Sequence, residues 1–253
     1  MKTIKESRSS SHRELLYGIQ PVCAALRKRK RKFSELFIKI GKNNSGRISE
    51  ILELAEEIGL TVNEVPGNRL TEMCPDAVHQ GVVLRCGIRP FSPISDLPLT
   101  LEGKLPLIVV LDQIEDPHNL GAIIRTCGFF DVSAVVISKD HSCGLTPVVS
   151  KSSSGVSEWL TVISMTNLTR FLQKQKSEGY WIVGLAEESK KSLSKLKRDN
   201  PLILVVGNEG RGIRPLIRKQ CDWLVSIVGN PEVSSLNVSG AVAIALNHFY
   251  VLP

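Results

Sequence analysis

At 253 residues, with 42% hydrophobic and 23% charged side chains, the chain is long enough for one large domain or two smaller ones with real cores, so a peptide-like or disordered class is excluded. No apolar stretch approaches the roughly 18 residues of a membrane span, and the opening MKTIKESRSSSHRE has no apolar core of a secretory signal, so a cytoplasmic protein with no membrane partner is expected. The net charge of +7 makes a polyanion a plausible partner. The six cysteines are scattered without a CxxC pair, and no HExxH occurs, so neither a disulfide frame nor a zinc or other metal site is expected.

In chain order, residues 14–40 read as an apolar helix followed by a strand over 36–40. Between them lies the most concentrated charge run, Arg27, Lys28, Arg29, Lys30, Arg31 and Lys32. Such a run is either a solvated helix end complementing the C-terminal dipole or a nucleic-acid contact. Isoleucines and leucines at helical spacing predict a helix over 46–58 with Gly59 as its stop. Strands are predicted at 60–65 and 81–86, with a short helix near 68–73 between them. Residues 1–13 are then an N-terminal tail, 14–88 a small α/β unit, and the proline-punctuated stretch 89–105 a linker.

Apolar strands return at 107–111, 133–138, 160–163, 181–185, 202–206 and 224–228, alternating with helical stretches. The pattern predicts an α/β domain over 106–253 with a mostly parallel sheet covered on both faces.

Three loops follow strands of that sheet, and open parallel sheets bind ligands at the carboxyl ends of their strands. The first runs into DPHNLGAIIRTC. With Asn119 taken as N-cap and about 100° per residue, Leu120, Ile123, Ile124, Cys127 and Phe130 share one face, and Arg125 points away from it beside Gly121 and near Gly128. Glycine inside a helix is costly and marks close approach by something else. The second loop, VGNEGRGI, fits neither GxGxxG nor GxxxxGK[ST], and its Glu209 is set where a phosphate would sit. This argues against a nucleotide-dependent oxidoreductase and for a ligand with a cationic or neutral head. The third, GNPEVSSLNVSG, offers Ser235 and Asn237 as caps of a small-residued helix around 241–246, a surface that another backbone can approach closely.

In order and spacing, LDQIEDPHNLGAIIRTC, VVGNEGRGI and IVGNPEVSSLNVSGAVAIAL resemble the three motifs of the SpoU (TrmH) family of RNA ribose 2′-O-methyltransferases. The likeness covers about 106–253. The unit at 14–88, with Tyr17-Gly18 and His79-Gln80-Gly81-Val82, resembles the family's L30-like RNA-binding domain. What the resemblance implies is a SPOUT-type α/β fold with a C-terminal trefoil knot, acting as a homodimer with S-adenosylmethionine as methyl donor and no metal. The two-domain arrangement is most similar to members that methylate a guanosine ribose in 23S ribosomal RNA; a transfer-RNA methyltransferase and a non-catalytic RNA-binding member are the alternatives. Carried over by position, Asn119, Arg125, Glu209, Ser235 and Asn237 are the catalytic polar residues, and Gly207, Ile227 and Leu236 hold the methyl donor. Asn119 and Glu209 are expected to hold the Arg125 guanidinium, and the run 27–32 to contact RNA. The replacements around Gly240 and Ala243 depart from the family pattern without touching the catalytic positions.

Overall fold

The computed structural model describes residues 13–42, 46–97, 105–230, 232–233 and 235–251. The expected tail, apart from residue 13, and linker residues 98–104 lie outside the described residues. In chain order the elements are β1 (Arg13–Tyr17), α1 (Ile19–Lys28), β2 (Phe33–Lys39), α2 (Gly46–Glu57), β3 (Thr61–Val65), α3 (Gly67–Met73) and β4 (Val82–Gly87). They continue with β5 (Leu107–Asp112), α4 (Pro117–Phe129), β6 (Ala134–Ser138), α5 (Pro147–Ser152), β7 (Val162–Met165), α6 (Leu168–Ser177), β8 (Trp181–Leu185), β9 (Leu202–Gly207), α7 (Pro215–Arg218), β10 (Trp223–Val225) and α8 (Val238–Val251). Two compact units result, Met1–Pro90 with Leu145–Trp159, and Phe91–Gly144 with Leu160–Pro253. A segment that lies between β6 and β7 in sequence is thus part of the first unit.

The first unit has a four-stranded sheet in the order β1-β4-β2-β3, with β2 and β3 parallel and the other pairs antiparallel. Residues 14–17, expected in a helix, and residue 13, expected in the tail, form a strand, and α1 begins only after Gly18, whose φ of 95° breaks the chain direction. The reason is period-two burial: Leu16 enters the core with α1 and α2, while Leu15 and Tyr17 pack beside Leu70, Cys74 and Val83. Arg29 closes α1 in the left-handed region at φ 51°, its N–H donating to the Ala25 carbonyl.

The second unit carries six parallel strands in the order β10-β8-β9-β5-β6-β7. Every residue of β5, β6 and β9 is buried, as strands covered on both faces require. Leu168, Phe171 and Leu172 of α6 pack onto Ile108, Val110, Val136, Ile203 and Val205. Each large side chain so buried stabilises the unit by roughly 1.5–3 kcal/mol before entropy is counted. Helix α4 buries Leu120, Ile123, Ile124 and Cys127 at 0% exposure, four of the five residues of the predicted face; the fifth, Phe130, is the C-cap residue and is only partly buried. Helix α8 buries Val242, Ala245, Leu246 and Phe249 and packs against α4 and β9. The N-cap of α4 is Asp116, not Asn119: its carboxylate accepts from the His118 N–H at 2.9 Å, and Pro117 takes the first helical position, where its missing N–H costs nothing. Asn119 is therefore inside the first turn, with its side chain released for other work.

Candidate active site

Strands β5 and β9 are neighbours, and Asp112 stands opposite Gly207 at their carboxyl ends. Fully buried Asp112 accepts from the Arg214 backbone N–H at 2.9 Å and from its Nε at 2.7 Å, closing an ion pair that ties the exit of the second loop to the end of β5. Asn208 closes the loop from within: its Nδ2 donates to the Gln113 carbonyl at 3.0 Å, its Oδ1 accepts from Gly210 N–H at 2.9 Å, and its carbonyl accepts from Gly212 N–H at 2.8 Å. Gly207 has no alternative in this turn, since a Cβ there would lie 2.1 Å from the Gly212 carbonyl carbon and 2.3 Å from Ile213 N. Asp112, Asn208 and Arg214 are positioning residues that the motif reading missed. The signal available for the first was a lone carboxylate ending the apolar run LIVVLD.

The folded loop presents Glu209 to the other two loops. Asn119 Nδ2 donates to Glu209 Oε1 at 2.5 Å, and Asn237 Nδ2 donates to the same oxygen at 3.3 Å and to Asn119 Oδ1 at 3.0 Å. Asn237 also performs the predicted cap, its Oδ1 accepting from Ser239 N–H at 2.9 Å and from the Ser239 hydroxyl at 2.6 Å. One asparagine thus fixes the start of α8 and joins residues 119 and 209 into a closed polar node.

Beside that node is a cleft of about 790 Å³, bounded by residues 185–188, 206–213 and 225–230 with Ser235, Leu236 and Ala241. Gly207, Glu209, Ile227, Ser235 and Leu236 all line it, so five of the eight predicted catalytic and donor-binding positions border one space, and Asn119 and Asn237 join it through Glu209. Arg125 is placed differently. It is exposed on α4 and makes no hydrogen bond or ion pair among the described residues. The expectation that Asn119 and Glu209 hold its guanidinium is corrected: their facing polar atoms are engaged with each other and with Asn237.

The cleft has the size of a small-molecule site and a mixed lining. Its charged residues are three carboxylates, Glu187, Glu188 and Glu209, and two guanidiniums, Arg211 and Arg218, of which Arg218 is paired with Glu188. A surplus carboxylate suits a cationic ligand better than a phosphate. Exposed Val228, Val233 and Leu236 supply apolar contact.

The basic run of the first unit resolves into separate fates. Arg27 pairs with Glu50, Arg29 pairs with Glu57 at 2.8 Å, and Lys30 Nζ donates to the Trp159 carbonyl at 3.0 Å. Arg31 corrects the expectation of RNA contact outright. Its side chain is 0% exposed, donating to Glu158 at 2.8 and 3.0 Å, to Glu14 at 3.1 Å and to the Gly87 carbonyl at 3.2 Å. Burial opposes its charge, but Glu158, Cys86 and Glu14 outweigh that and hold its pKa above the ordinary arginine value. Ser150 completes the arrangement, its hydroxyl donating to Glu158 Oε1 at 2.6 Å. Only Lys28 and Lys32 of the six are exposed with no partner shown among the described residues.

Comparison with known proteins gives two family matches: the SpoU rRNA Methylase family over residues 106–247, and RNA 2′-O ribose methyltransferase substrate binding over residues 15–91. The chain is 38% identical over 234 residues to the 23S rRNA (guanosine-2′-O-)-methyltransferase RlmB of Pectobacterium atrosepticum, covering 92% of this chain and 96% of that protein. The Escherichia coli protein of the same name is 37% identical over 234 residues, with 92% and 96% covered. Among solved structures, the SpoU methyltransferase AviRb from Streptomyces viridochromogenes in complex with AdoMet superposes with a TM-score of 0.77 at 20% identity, covering 97% of this chain and 92% of that one.

Proposed function

The chain belongs to the SpoU rRNA Methylase family, and on that premise we propose that it transfers a methyl group from S-adenosylmethionine to the 2′-hydroxyl of a guanosine ribose in 23S ribosomal RNA. The observation that carries the reading is the closed node of Asn119, Glu209 and Asn237, drawn from three loops and set against the cleft. The residues present fit the donor: the surplus carboxylate complements its sulfonium and ammonium charges, and Gly207, Ile227 and Leu236 offer backbone groups and apolar surface to hold it. When bound, S-adenosylmethionine would supply an electrophilic methyl group whose bond to the sulfonium breaks as the new bond to oxygen forms, the sulfur becoming a neutral thioether.

The chain's own residues then do the positioning, which in a transfer with dispersed charge supplies much of the acceleration. Glu209, held by two amides, orients the ribose, and Ser235 and Asn237 order ribose and donor. Arg125 clamps an RNA phosphate and polarises the 2′-hydroxyl. A guanidinium stays protonated and is a poor base, so the hydroxyl proton passes to that phosphate or to water. That Arg125 has no partner shown among the described residues supports this, because it leaves its five donors to an incoming phosphate.

The remaining features of the reading are a trefoil knot, a homodimer, an L30-like first domain over 14–88 and work in the cytoplasm, where ribosomal RNA is. The knot is supported by the chain's return from edge strand β10 to α8, which packs on α4 and β9. The dimer is supported by an exposed aromatic group: Phe129, 80% exposed, meets Phe130 edge-on at 5.1 Å, and Phe130 meets half-exposed Tyr250 at 5.5 Å. Lys28 and Lys32 stay in the reading as RNA contacts.

Calorimetry with S-adenosylmethionine, followed by mapping of alkali-resistant ribose positions in a 23S rRNA transcript, tests the function. Donor binding and methylation of one guanosine are expected. Failure to bind the donor would leave a non-catalytic RNA-binding protein, and methylation of transfer RNA alone would give the substrate to the other class.

A further inference from the structure

In the first unit, five arginines are tied to carboxylates: Arg27, Arg29, Arg31, Arg69 and Arg85. Three lysines behave in the opposite way. Lys42, just beyond β2, and Lys151 from α5 bond the loop His79-Gln80-Gly81, and Lys39, at the end of β2, has its Cβ beside Gly81 and its chain end against Gly67 at the start of α3; none has a carboxylate partner shown among the described residues. Lys42 Nζ donates to the Gln80 backbone carbonyl, and Lys151 Nζ donates to Gln80 Oε1 at 2.9 Å. The same Oε1 accepts from Ile19 N–H at 3.2 Å, and Gly18 N–H donates to the Val82 carbonyl at 3.1 Å, so the loop closes on Tyr17-Gly18. The Lys39 N–H donates to the Gly81 carbonyl at 2.9 Å.

Two glycines make room for the lysine stems. Gly18, at φ +95°, would place a Cβ 2.6 Å from Lys151 Nζ, and Gly81, at φ +82°, would place one 2.7 Å from Lys42 Cδ and 3.3 Å from Lys39 Cβ. Both conformations also exclude most L side chains. The His79 ring is fixed as an acceptor, its Nδ1 receiving Gly81 N–H at 3.0 Å, and burial followed by the fields of Lys42, Lys39 and Lys151 pushes its pKa below the ordinary imidazole value.

Three like charges around this loop, two of them on Gln80 oxygens and none with a carboxylate partner shown among the described residues, cost free energy that a bound anion would offset. We propose that Lys39, Lys42 and Lys151, set against Gly67, Gly81 and Gly18 in turn, form a site for the phosphate backbone of the RNA substrate and are its main electrostatic contact on this unit. The proposal rests on the reading of the chain as an RNA methyltransferase, and it moves the principal RNA contact away from the arginine-lysine run at 27–32. Lysines suit this role because each offers a point charge to a phosphate without demanding a fixed geometry.

The test is binding of a 23S rRNA transcript by the full chain over a range of salt, with Lys39→Gln/Lys42→Gln/Lys151→Gln beside Lys28→Gln/Lys32→Gln. At about 0.7 released counterions per single-strand phosphate, the triple variant is expected to lower the log-log salt slope by about 2. Its KM for RNA rises, with turnover at saturating RNA and affinity for S-adenosylmethionine unchanged. The Lys28/Lys32 pair is expected to change the slope less. A triple variant that keeps the wild-type slope and KM overturns the proposal, as does a loss of affinity with an unchanged slope. Should the triple variant fold poorly, Lys42→Gln and Lys151→Gln singly, each expected to lower the slope by about 0.7, decide it by the same criterion. Donor binding and methyl transfer by the wild type separate this failure from failure of the function: a wild type that methylates rRNA while the lysine variants bind normally refutes only the lysine site.

Discussion

The first and second units use the same kinds of residue to opposite ends. In the first, Arg31, Glu158, Glu14 and Ser150 form a polar cluster whose guanidinium is shut away from water, and its charges are spent on one another. In the second, Asn119, Glu209 and Asn237 form a cluster of comparable connectivity that stays open beside a cleft, with exposed Arg125 on the same helix as Asn119. A sealed cluster has its polar atoms committed to the fold, whereas an open one keeps them within reach of solvent and the cleft. Hydrogen-bond counts alone do not separate the two; solvent access does.

The sharpest way to break this comparison is to remove a member of each cluster. Arg31→Met leaves Glu158 buried without its hydrogen-bonded cation and is expected to destabilise the protein by about 3–5 kcal/mol, seen as a lower melting temperature and urea midpoint. Restoring apolar balance with Arg31→Met/Glu158→Leu is expected to recover much of that loss; a single variant with wild-type melting would show the cluster is not structural. Glu209→Ala is expected to do the reverse: melting within about 0.5 kcal/mol of wild type, but turnover down about 10²-fold, equivalent to roughly 2.7 kcal/mol of transition-state stabilisation. Glu209→Gln, which keeps an oxygen acceptor for both amides, is expected to lose less, and equal losses would show that charge rather than orientation matters.

Gly207→Ala sharpens the comparison at the cleft wall. The added methyl meets backbone that cannot yield without moving the loop, so a cost of about 1–3 kcal/mol and weaker binding of S-adenosylmethionine are expected together, checked by melting and calorimetry. The smallest effect belongs to the exposed pairs. Arg27→Gln/Arg29→Gln is expected to change stability by less than about 1 kcal/mol, since exposed ion pairs contribute little.

Much of the second unit was legible because its strands are continuous apolar runs and its loops carry unusual polar residues at strand ends. Strands β5, β8 and β9 stand at or within a residue of their expected bounds, and the buried face of α4 is the one its periodicity gives. The first unit was harder. Glu14-Leu15-Leu16-Tyr17 runs straight into the helical residues after Gly18, so its short alternation was absorbed into a helix, although each face of the strand meets a different cluster. The basic run was conspicuous in sequence, yet its members diverge in space into ion pairs. Lys39, Lys42 and Lys151 were invisible as a group, because α5 lies far along the chain and only the fold brings it to the first unit. Asn119 was expected as the N-cap of α4 and, through the family resemblance, as a site residue; Asp116 takes the cap, which leaves the Asn119 side chain to bond Glu209.

The most direct test of the central claim is transfer of labelled methyl from S-adenosylmethionine to a 23S rRNA transcript by the wild type and by Arg125→Ala, with the product mapped by resistance to alkaline cleavage. The account predicts one alkali-resistant guanosine for the wild type and a loss of at least about 10²-fold in turnover for the variant, with donor affinity retained. Methylation of a base instead of a ribose, or undiminished turnover by Arg125→Ala at saturating RNA, would contradict it.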